Sequence, residues 1–198
     1  MVVVVEGRQV RYYKMDRLVF VTSNHNKFRE VKAILEEYGI DVEHSQLEMV
    51  EIQAMRVEDI ASAKAKKAYE MLQRSVIVED DALTINALNG FPGPYSSYVF
   101  KTIGNEGIIR LMHSIDDRRA SFVSVIAYCY SNDVEPVIFI GKVDGIIADS
   151  IRGKGWGYDP IFIPNCNSRT YAEMGDEKNR VSHRRLALAR FARWLNNK

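Results

Sequence analysis

The alternation of hydrophobic and polar positions predicts a chain in which strands and helices take turns. Residues 17–22 are strongly apolar and predict a buried strand, which a polar turn at 23–27 follows directly. Apolar positions at helical spacing continue as far as Tyr38, and the same spacing returns over residues 57–72. Strands and helices in this order are typical of an α/β protein.

The second half of the chain has a different pattern. Residues 95–103 and 105–112 predict two short helices, and a last helix begins after Ser182 as its cap. Between them, residues 119–130 and 137–148 alternate over long spans and predict an antiparallel ribbon. Such a ribbon extends the sheet or builds a separate lobe, and a cleft between lobes is a natural binding place.

The first residues form a segment of their own. Residues 2–13 alternate around Glu6 and Gly7, which predicts a hairpin. We treat residues 1–14 as an N-terminal extension of one α/β domain, which spans residues 1–198 in two lobes. The pattern indicates no chemistry in this extension.

Three consecutive carboxylates form the most unusual stretch of the chain. The apolar residues 76–78 lead straight into Glu79, Asp80 and Asp81, so we expect a strand that ends at these acids. Acids at the carboxyl end of a strand in an open α/β sheet face a crevice. A divalent cation or a positively charged partner relieves their mutual repulsion. A solvated acidic turn is the alternative interpretation.

The turn after the first buried strand is a second candidate site. Thr22, Ser23 and Asn24 precede the predicted helix, whose N-terminal N–H groups favour an anion. Lys27 adds a full positive charge, which favours a phosphate. Plain N-capping by the small polar side chains is the alternative. The glycine-rich pattern of a P-loop is absent from the sequence.

Two further stretches suit a nucleotide. In residues 153–160, three glycines at alternate positions permit close approach of a ligand, while Trp156 and Tyr158 offer flat faces for a base. Cations crowd the start of the last helix, where the helix dipole disfavours them unless they meet an anion or a carbonyl-rich ligand. These cations are Lys178, His183, Arg184 and Arg185.

Composition narrows the classes of partner. The chain has 27 Lys and Arg against 26 Asp and Glu, so its net charge of +1 gives no general attraction to nucleic acid or to an anionic membrane. No apolar run has the length of a membrane span and no secretion signal is present, so we expect a cytoplasmic protein. Cys129 and Cys166 lack metal-type spacing, and we expect buried free thiols.

Several segments taken together resemble the inosine triphosphate pyrophosphatase family. The matching pieces are FVTSN at 20–24 with Lys27, Glu79-Asp80, FPGPY at 91–95, GWGYDP at 155–160, TYAEM at 170–174, and residues 177–179 and 182–184. The resemblance implies an α/β fold with an elongated, long mixed sheet and helices that form two lobes around a central cleft, usually in a homodimer. It also implies hydrolysis of ITP, dITP and XTP to the nucleoside monophosphate and pyrophosphate, which cleanses the nucleotide pool and depends on Mg²⁺.

The family's phosphate and metal residues carry over onto matching positions of this chain. The resemblance implies that Thr22 and Asn24, with Ser23 between them, hold the triphosphate together with Lys27. Lys64 is implied as a helper from the second helix. Glu51 and Asp80 are implied to position Mg²⁺ and the attacking water, with Glu79 as a further metal ligand. Asp80 is the candidate general base, and Lys27 the candidate that stabilises charge on the leaving group.

The base-binding residues carry over in the same way. Trp156 is similar to the family's stacking aromatic, and Gly157 and Tyr158 lie beside it in sequence. The resemblance implies that the purine is surrounded by Asp159, Lys178, Ser182, His183 and Arg184. Donor groups on Arg184 would pair with O6 of hypoxanthine or xanthine but would confront the amino group of adenine.

Three positions depart from the family pattern. Ser23 stands where many members have glycine, and Asp81 replaces a small Ser or Thr. A basic residue that some relatives carry near Ser97 or Tyr98 is missing. An extra carboxylate and one fewer cation weaken phosphate binding unless a metal compensates, so we expect retained activity with a strong Mg²⁺ requirement.

Two other functions compete with this interpretation. A non-catalytic nucleotide-binding or RNA-binding module could use the same aromatic loop and basic helix start. A near-neutral charge argues against RNA, and a pure binder has little need of the acidic cluster. A related pyrophosphatase with a pyrimidine preference is the other alternative, because only the resemblance favours a purine.

Overall fold

The computed structural model describes residues 2–6, 9–13, 17–165 and 167–198. Strands β1 (Val2–Glu6) and β2 (Gln9–Tyr13) pair antiparallel in a two-stranded sheet of their own. Gly7, part of the turn expected in this hairpin, lies outside the described residues, as does Cys166. Cys129 is buried with a free thiol.

Within the described residues, seven strands form one mixed sheet. They are β3 (Leu18–Val21), β4 (Val42–Ser45), β5 (Val76–Ile85), β6 (Pro92–Gly93), β7 (Arg119–Cys129), β8 (Val137–Ile147) and β9 (Phe162–Pro164). Their order is β4-β3-β5-β7-β8-β9, and β6 pairs separately with β5. β3 runs parallel to β4 and β5, whereas the later pairs are antiparallel, including the predicted ribbon of β7 and β8.

Helices occupy the segments in which the sequence predicts them, and one further short helix, at Tyr171–Met174, was not predicted. They are α1 (His25–Glu36), α2 (Val57–Leu72), α3 (Ser96–Thr102), α4 (Gly104–Leu111), α5 (Tyr171–Met174) and α6 (His183–Asn196). The α/β class and the mixed sheet are therefore confirmed, while the division into two lobes stays a prediction. In the part of the chain that the structure describes, no helix is long and apolar enough to cross a membrane.

The first half of β5 is covered on both faces. Ile77 packs with Ile34 and Leu188, from α1 and α6, on one face of the sheet. Its neighbour Val78 packs with Ala65 of α2 on the other face. Because successive side chains of a strand point to opposite faces, the continuous apolar run produces a strand buried from both sides.

The second half of β5 belongs to another hydrophobic core. Leu83 and Ile85 pack with Phe162, Met112 and Tyr171, under the helices of the second half of the chain. The acids lie between the two cores, at the point where β5 leaves one and enters the other. This placement explains why polar residues interrupt an otherwise apolar strand.

The expectation that the strand ends at the acids is wrong. β5 continues through them to Ile85, with Glu79 opposite Ile126 and Asp81 opposite Ser124 on β7. Antiparallel pairing with β7 holds one backbone edge of this stretch, and cations from distant segments compensate its charge. A ten-residue strand can therefore carry three acids in its middle.

Candidate functional site

The acids lie where β5 changes its neighbour. β3 pairs with β5 as far as Val78, and β6 pairs with it from Leu83 onward. On this side, residues 79–82 have no strand partner within the described chain, while β7 pairs with them on the other side. One backbone edge of the acidic stretch therefore opens onto a cleft, and the opposite edge holds it in place.

The cleft beside this gap has a volume of about 790 Å³. It gathers predicted site residues from separate segments of the chain: Thr22, Ser23, Asn24, Lys27, Glu51, Lys64, Glu79, Asp80, Trp156, Gly157, Tyr158, Asp159, Lys178, His183 and Arg184. Ser182 is fully buried and is not among the lining residues. Its side chain caps α6 by accepting a hydrogen bond of 3.1 Å from the backbone N–H of Arg185.

The turn between β3 and α1 is held by its own side chains. Asn24 caps α1, because its Oδ1 accepts hydrogen bonds from the backbone N–H groups of Asn26 at 2.9 Å and Lys27 at 3.2 Å. The N–H of Asn24 in turn donates to Oγ1 of Thr22 at 3.1 Å. N-capping is thus present, and Thr22 and Ser23 still line the cleft at the positive end of the helix.

Lys27 reaches from the first turn of α1 to the acids of β5. Its Nζ lies 2.9 Å from Oδ2 of Asp81 and 3.8 Å from Oε2 of Glu79. Burial lowers the pKa of Lys27, but the two carboxylates outweigh this effect and hold the pKa above its ordinary value. Lys27 is therefore a fixed positive charge in the cleft.

Arg184 is a buried hub that joins three acids. Its Nε donates to both oxygens of Glu79, at 2.8 and 2.9 Å, and its NH2 nitrogen donates to Asp81 at 2.7 Å. The NH1 nitrogen donates to Glu30. All three guanidinium nitrogens thus have carboxylate partners, so contact between Arg184 and a base requires an exchange of partners. The assignment of Arg184 to base recognition stays a prediction.

The two acids that share Lys27 and Arg184 titrate differently. Burial raises the pKa of Glu79 to about 7, although Arg184 opposes the rise. Burial also acts on Asp81, but Lys27 and Arg184 outweigh it and hold the pKa of Asp81 below its usual range. As the pH rises, Asp81 therefore loses its proton before Glu79 and carries the negative charge on this face of β5.

Asp80 points to the other face of β5, where Lys64 meets it. Nζ of Lys64 donates to Oδ1 of Asp80 at 2.8 Å and also forms an ion pair with Glu51. Oδ2 of Asp80 is buried without a hydrogen-bond partner among the described residues. Burial raises the pKa of Asp80 above its ordinary value, although Lys64 opposes the rise. An oriented carboxylate with one vacant oxygen can accept a proton or bind a cation.

The acids that we expect to bind Mg²⁺ fit this ion unequally. Glu51 and Asp80 converge on one ammonium group, and the unpartnered oxygen of Asp80 suits a hard cation. Both oxygens of Glu79 already accept hydrogen bonds from Arg184, and one accepts a further bond from Ser124. Within the described chain, no three acidic, His or Cys side chains are already placed to hold a metal.

Arg184 links the acids to Trp156, which lines the same cleft. Nε1 of Trp156 donates to Glu30 at 2.9 Å, and Nζ of Lys178 lies 4.9 Å from the centre of the indole ring. Lys178 also forms an ion pair of 2.7 Å with Asp159. Sequence reasoning missed Glu30, which binds Trp156, Lys178 and Arg184 together, because a lone glutamate in a helix has no distinguishing pattern.

The three glycines of the loop differ: Gly157 lines the cleft with open space around it, whereas Gly153 and Gly155 pack against protein. A Cβ on Gly153 would lie 2.8 Å from the backbone nitrogen of Glu173, and one on Gly155 would lie 2.9 Å from Cβ of Ala172. Both glycines therefore let the loop pack against α5. Tyr158 is only 4% exposed and its hydroxyl donates to a backbone carbonyl, so Trp156 offers the better stacking face.

His183 lines the cleft beside Asp81. Its ring stacks on Phe122 with centroids 4.2 Å apart and planes inclined by 5°. Its Nε2 lies 3.9 Å from Oδ1 of Asp81. Burial lowers the pKa of His183 well below its ordinary value, even though Asp81 opposes this. The imidazole is therefore neutral around neutral pH.

Comparison with known proteins shows which family this chain resembles. The family model described as the Ham1 family matches residues 18–194. A relative from Methanopyrus kandleri named dITP/XTP pyrophosphatase is 50% identical, over 91% of this chain and 97% of the relative. Another of that name, from Hyperthermus butylicus, is 48% identical over 90% of this chain and 94% of the relative.

Solved structures show the same likeness. A HAM1 protein from Coxiella burnetii matches with a TM-score of 0.81 at 30% identity, over 92% of this chain and 99% of that chain. The resemblance drawn from the sequence motifs is thereby confirmed. With a matching model that spans nearly the whole chain and relatives of this similarity, the chain belongs to the Ham1 family.

Proposed function

We propose that this protein hydrolyses the non-standard purine nucleoside triphosphates ITP, dITP and XTP to the nucleoside monophosphate and pyrophosphate. One observation carries the proposal: a single cleft joins the face of Trp156 to Asp80 and to the cations Lys27 and Lys64. A base, a scissile phosphoanhydride and its negative charges can all be placed along it. The names of the relatives at 50% and 48% identity support the substrate class.

Asp80 is the residue that we assign to proton transfer. Water attacks the α-phosphorus and loses a proton to the carboxylate of Asp80, while the bond from that phosphorus to the bridging oxygen breaks. The bond's electron pair leaves with pyrophosphate. The raised pKa of Asp80 suits this role because a base is most effective when its pKa approaches the working pH.

Lys27 and Lys64 supply the charge that the leaving group needs. Both side chains line the cleft, where Lys27 forms an ion pair with Asp81 and Lys64 forms one with Asp80. Their ammonium groups can turn to phosphate oxygens when the triphosphate enters, and Coulomb attraction strengthens as charge moves onto pyrophosphate. The N-terminus of α1 adds its positive dipole at Thr22 and Ser23.

Mg²⁺ is part of the proposal, with Glu51 and Asp80 as the side chains that would hold it. When bound, the ion would lower the pKa of a water and neutralise phosphate charge. We infer a strong Mg²⁺ requirement because Asp81 adds a carboxylate to this wall of the cleft.

Recognition of the base is assigned to the part of the cleft at Trp156. The indole can stack on the purine, and the donors Lys178 and Arg184 lie near its ring, at 4.9 and 5.2 Å from the centroid. A 6-oxo group would accept a hydrogen bond from such donors, whereas the amino group of adenine would leave a buried donor unpaired. The resemblance also implies a homodimer in the cytoplasm, and both stay predictions.

The test is product analysis. We would incubate the protein and Mg²⁺ separately with ITP, dITP, XTP, GTP, ATP and a pyrimidine triphosphate, and then quantify nucleotides and pyrophosphate. We expect IMP and pyrophosphate from ITP, much faster than AMP from ATP. Release of IDP and phosphate would contradict the assigned bond, and a faster reaction with the pyrimidine would overturn the base preference. Folded protein with Mg²⁺ that hydrolyses none of them would favour a binding module.

A further inference from the structure

A second cavity of about 340 Å³ adjoins the cleft beside its acids. Residues that line both cavities include Lys27, Glu51, Asp80, Asp81, Ser97 and Lys101. Trp156 lines only the larger cavity. The second cavity therefore adjoins the acids and two lysines but not the stacking aromatic, so phosphates that extend past the acids could enter it.

Lys101 differs from the other lysines of the cleft. Lys27, Lys64 and Lys178 each form an ion pair with an acid, at 2.9 Å with Asp81, 2.8 Å with Asp80 and 2.7 Å with Asp159 respectively. Lys101 is exposed and makes no ion pair or side-chain hydrogen bond with any residue that the structure describes. Its ammonium group can therefore bind an incoming anion without breaking an internal ion pair.

The backbone that carries Lys101 is fixed to the sheet. Lys101 lies in the last turn of α3, one helical turn after Ser97. At the start of that helix, Oγ of Ser96 donates to the carbonyl of Gly93 at 2.7 Å and accepts from the N–H of Leu83 at 2.9 Å. The side chain of Val99, on the same helix, is buried. The helix thus holds the base of a flexible side chain opposite the acids of β5.

We propose that Lys101 binds the pyrophosphate end of the triphosphate, where the two cavities join. The inference deepens the proposed function and rests on it. Lys101 has no ion-pair partner among the described residues and lines the junction of the two cavities together with Asp80 and Asp81. Its positive charge offsets the repulsion between these carboxylates and a phosphate. Lysine on a flexible stem suits an anion that must also leave after reaction. The remaining interpretation is a solvated surface lysine, which binds nothing.

Binding of pyrophosphate tests this role without turnover. We would measure the affinity for pyrophosphate with Mg²⁺ by calorimetry in wild type, Lys101→Ala and Lys101→Arg. Lys67→Ala is the matched control, because Lys67 is an exposed lysine of α2 paired with Glu70. We expect Lys101→Ala to bind about tenfold more weakly, and Lys101→Arg to recover most of the loss. Lys67→Ala should match the wild type.

Hydrolysis gives the second readout. KM for ITP should rise about tenfold in Lys101→Ala while competitive inhibition by IMP, which lacks the pyrophosphate, stays unchanged. Equal pyrophosphate affinity in wild type and Lys101→Ala, or no pyrophosphate binding by the wild type, would overturn the inference. A wild type that binds pyrophosphate through Lys101 but does not hydrolyse ITP would refute the proposed function alone.

Discussion

Lys64 places its ammonium nitrogen 2.8 Å from one oxygen of Asp80, and the other oxygen of that carboxylate is buried without a partner among the described residues. The ion pair orients the carboxylate and leaves the lone pairs of its buried Oδ2 without a donor. A base that is held in one orientation loses little entropy when it accepts a proton. In the proposed reaction, Lys64 would neutralise charge and also orient Asp80, the residue that accepts the proton.

Replacing Asp80 by Asn should separate folding from catalysis. The amide keeps the size of the side chain but cannot take the proton, so we expect kcat for ITP to fall by about 10²- to 10⁴-fold. Steady-state kinetics with circular dichroism and thermal unfolding as fold controls would measure this. Near-normal turnover in a folded Asp80→Asn variant would remove Asp80 as the base.

Loss of Arg184 should affect stability and base preference together. Arg184→Ala leaves the buried Glu79 and the partly buried Glu30 and Asp81 without their shared cation, and breaking a buried ion pair typically costs about 3–5 kcal/mol. Urea unfolding would measure this loss, and Arg184→Lys should retain part of the stability because it keeps a charge. In whichever variant folds, the ratio of kcat/KM for ITP over ATP should fall. An unchanged ratio would exclude Arg184 from base recognition.

Asp81→Ser should weaken the dependence on Mg²⁺. The substitution removes the carboxylate that lies 2.9 Å from Nζ of Lys27 and frees this ammonium for phosphate. We expect KM for ITP and the half-saturating Mg²⁺ concentration each to fall about three- to tenfold, equivalent to about 0.7–1.4 kcal/mol. Asp133→Ser, in the exposed turn between β7 and β8, is the control. An unchanged Mg²⁺ requirement would show that Asp81 does not compete for the phosphates.

His183 should make stability depend on pH. Burial lowers the pKa of His183 well below 6.5, so its contribution is fully present above that pH and is lost as the pH falls. Between about pH 7.5 and about pH 5.5 this loss is about 1.4 kcal/mol. Urea unfolding of wild type and His183→Phe at both pH values would measure it, because phenylalanine cannot titrate. The same pH dependence in both proteins would contradict a buried neutral imidazole.

The periodic elements of the fold could be predicted from the sequence because local patterns determine them. The helix over 57–72 and the ribbon of β7 and β8 lie where apolar spacing places them. The end of β5 could not be predicted in this way. Whether a strand continues through Glu79 depends on Arg184, which is 105 residues away in sequence and bonds to it in the folded chain.

The site shows the same division between local and distant information. Asn24 and Thr22 follow from the local strand, turn and helix, and they lie in the predicted turn. Glu30 acquires its importance only through contacts with residues 126 to 154 positions away. Tyr158 was expected to offer a stacking face, but tertiary packing buries its ring.

The backbone pairing of β5 has a consequence for how ligands fit. Asp80 and Asp81 face Val125 and Ser124 along an unbroken ladder, so the acids belong to the scaffold and not to a mobile loop. Amide hydrogen exchange should be slow at Asp80, whose N–H is directed to β7, and faster at Asp81, whose N–H is directed to the unpaired edge. The opposite wall, built from α3 and from Lys101 on its last turn, carries flexible side chains. The β5 wall of the cleft is therefore rigid, and the side chains of the α3 wall can adjust to ligands of different shape.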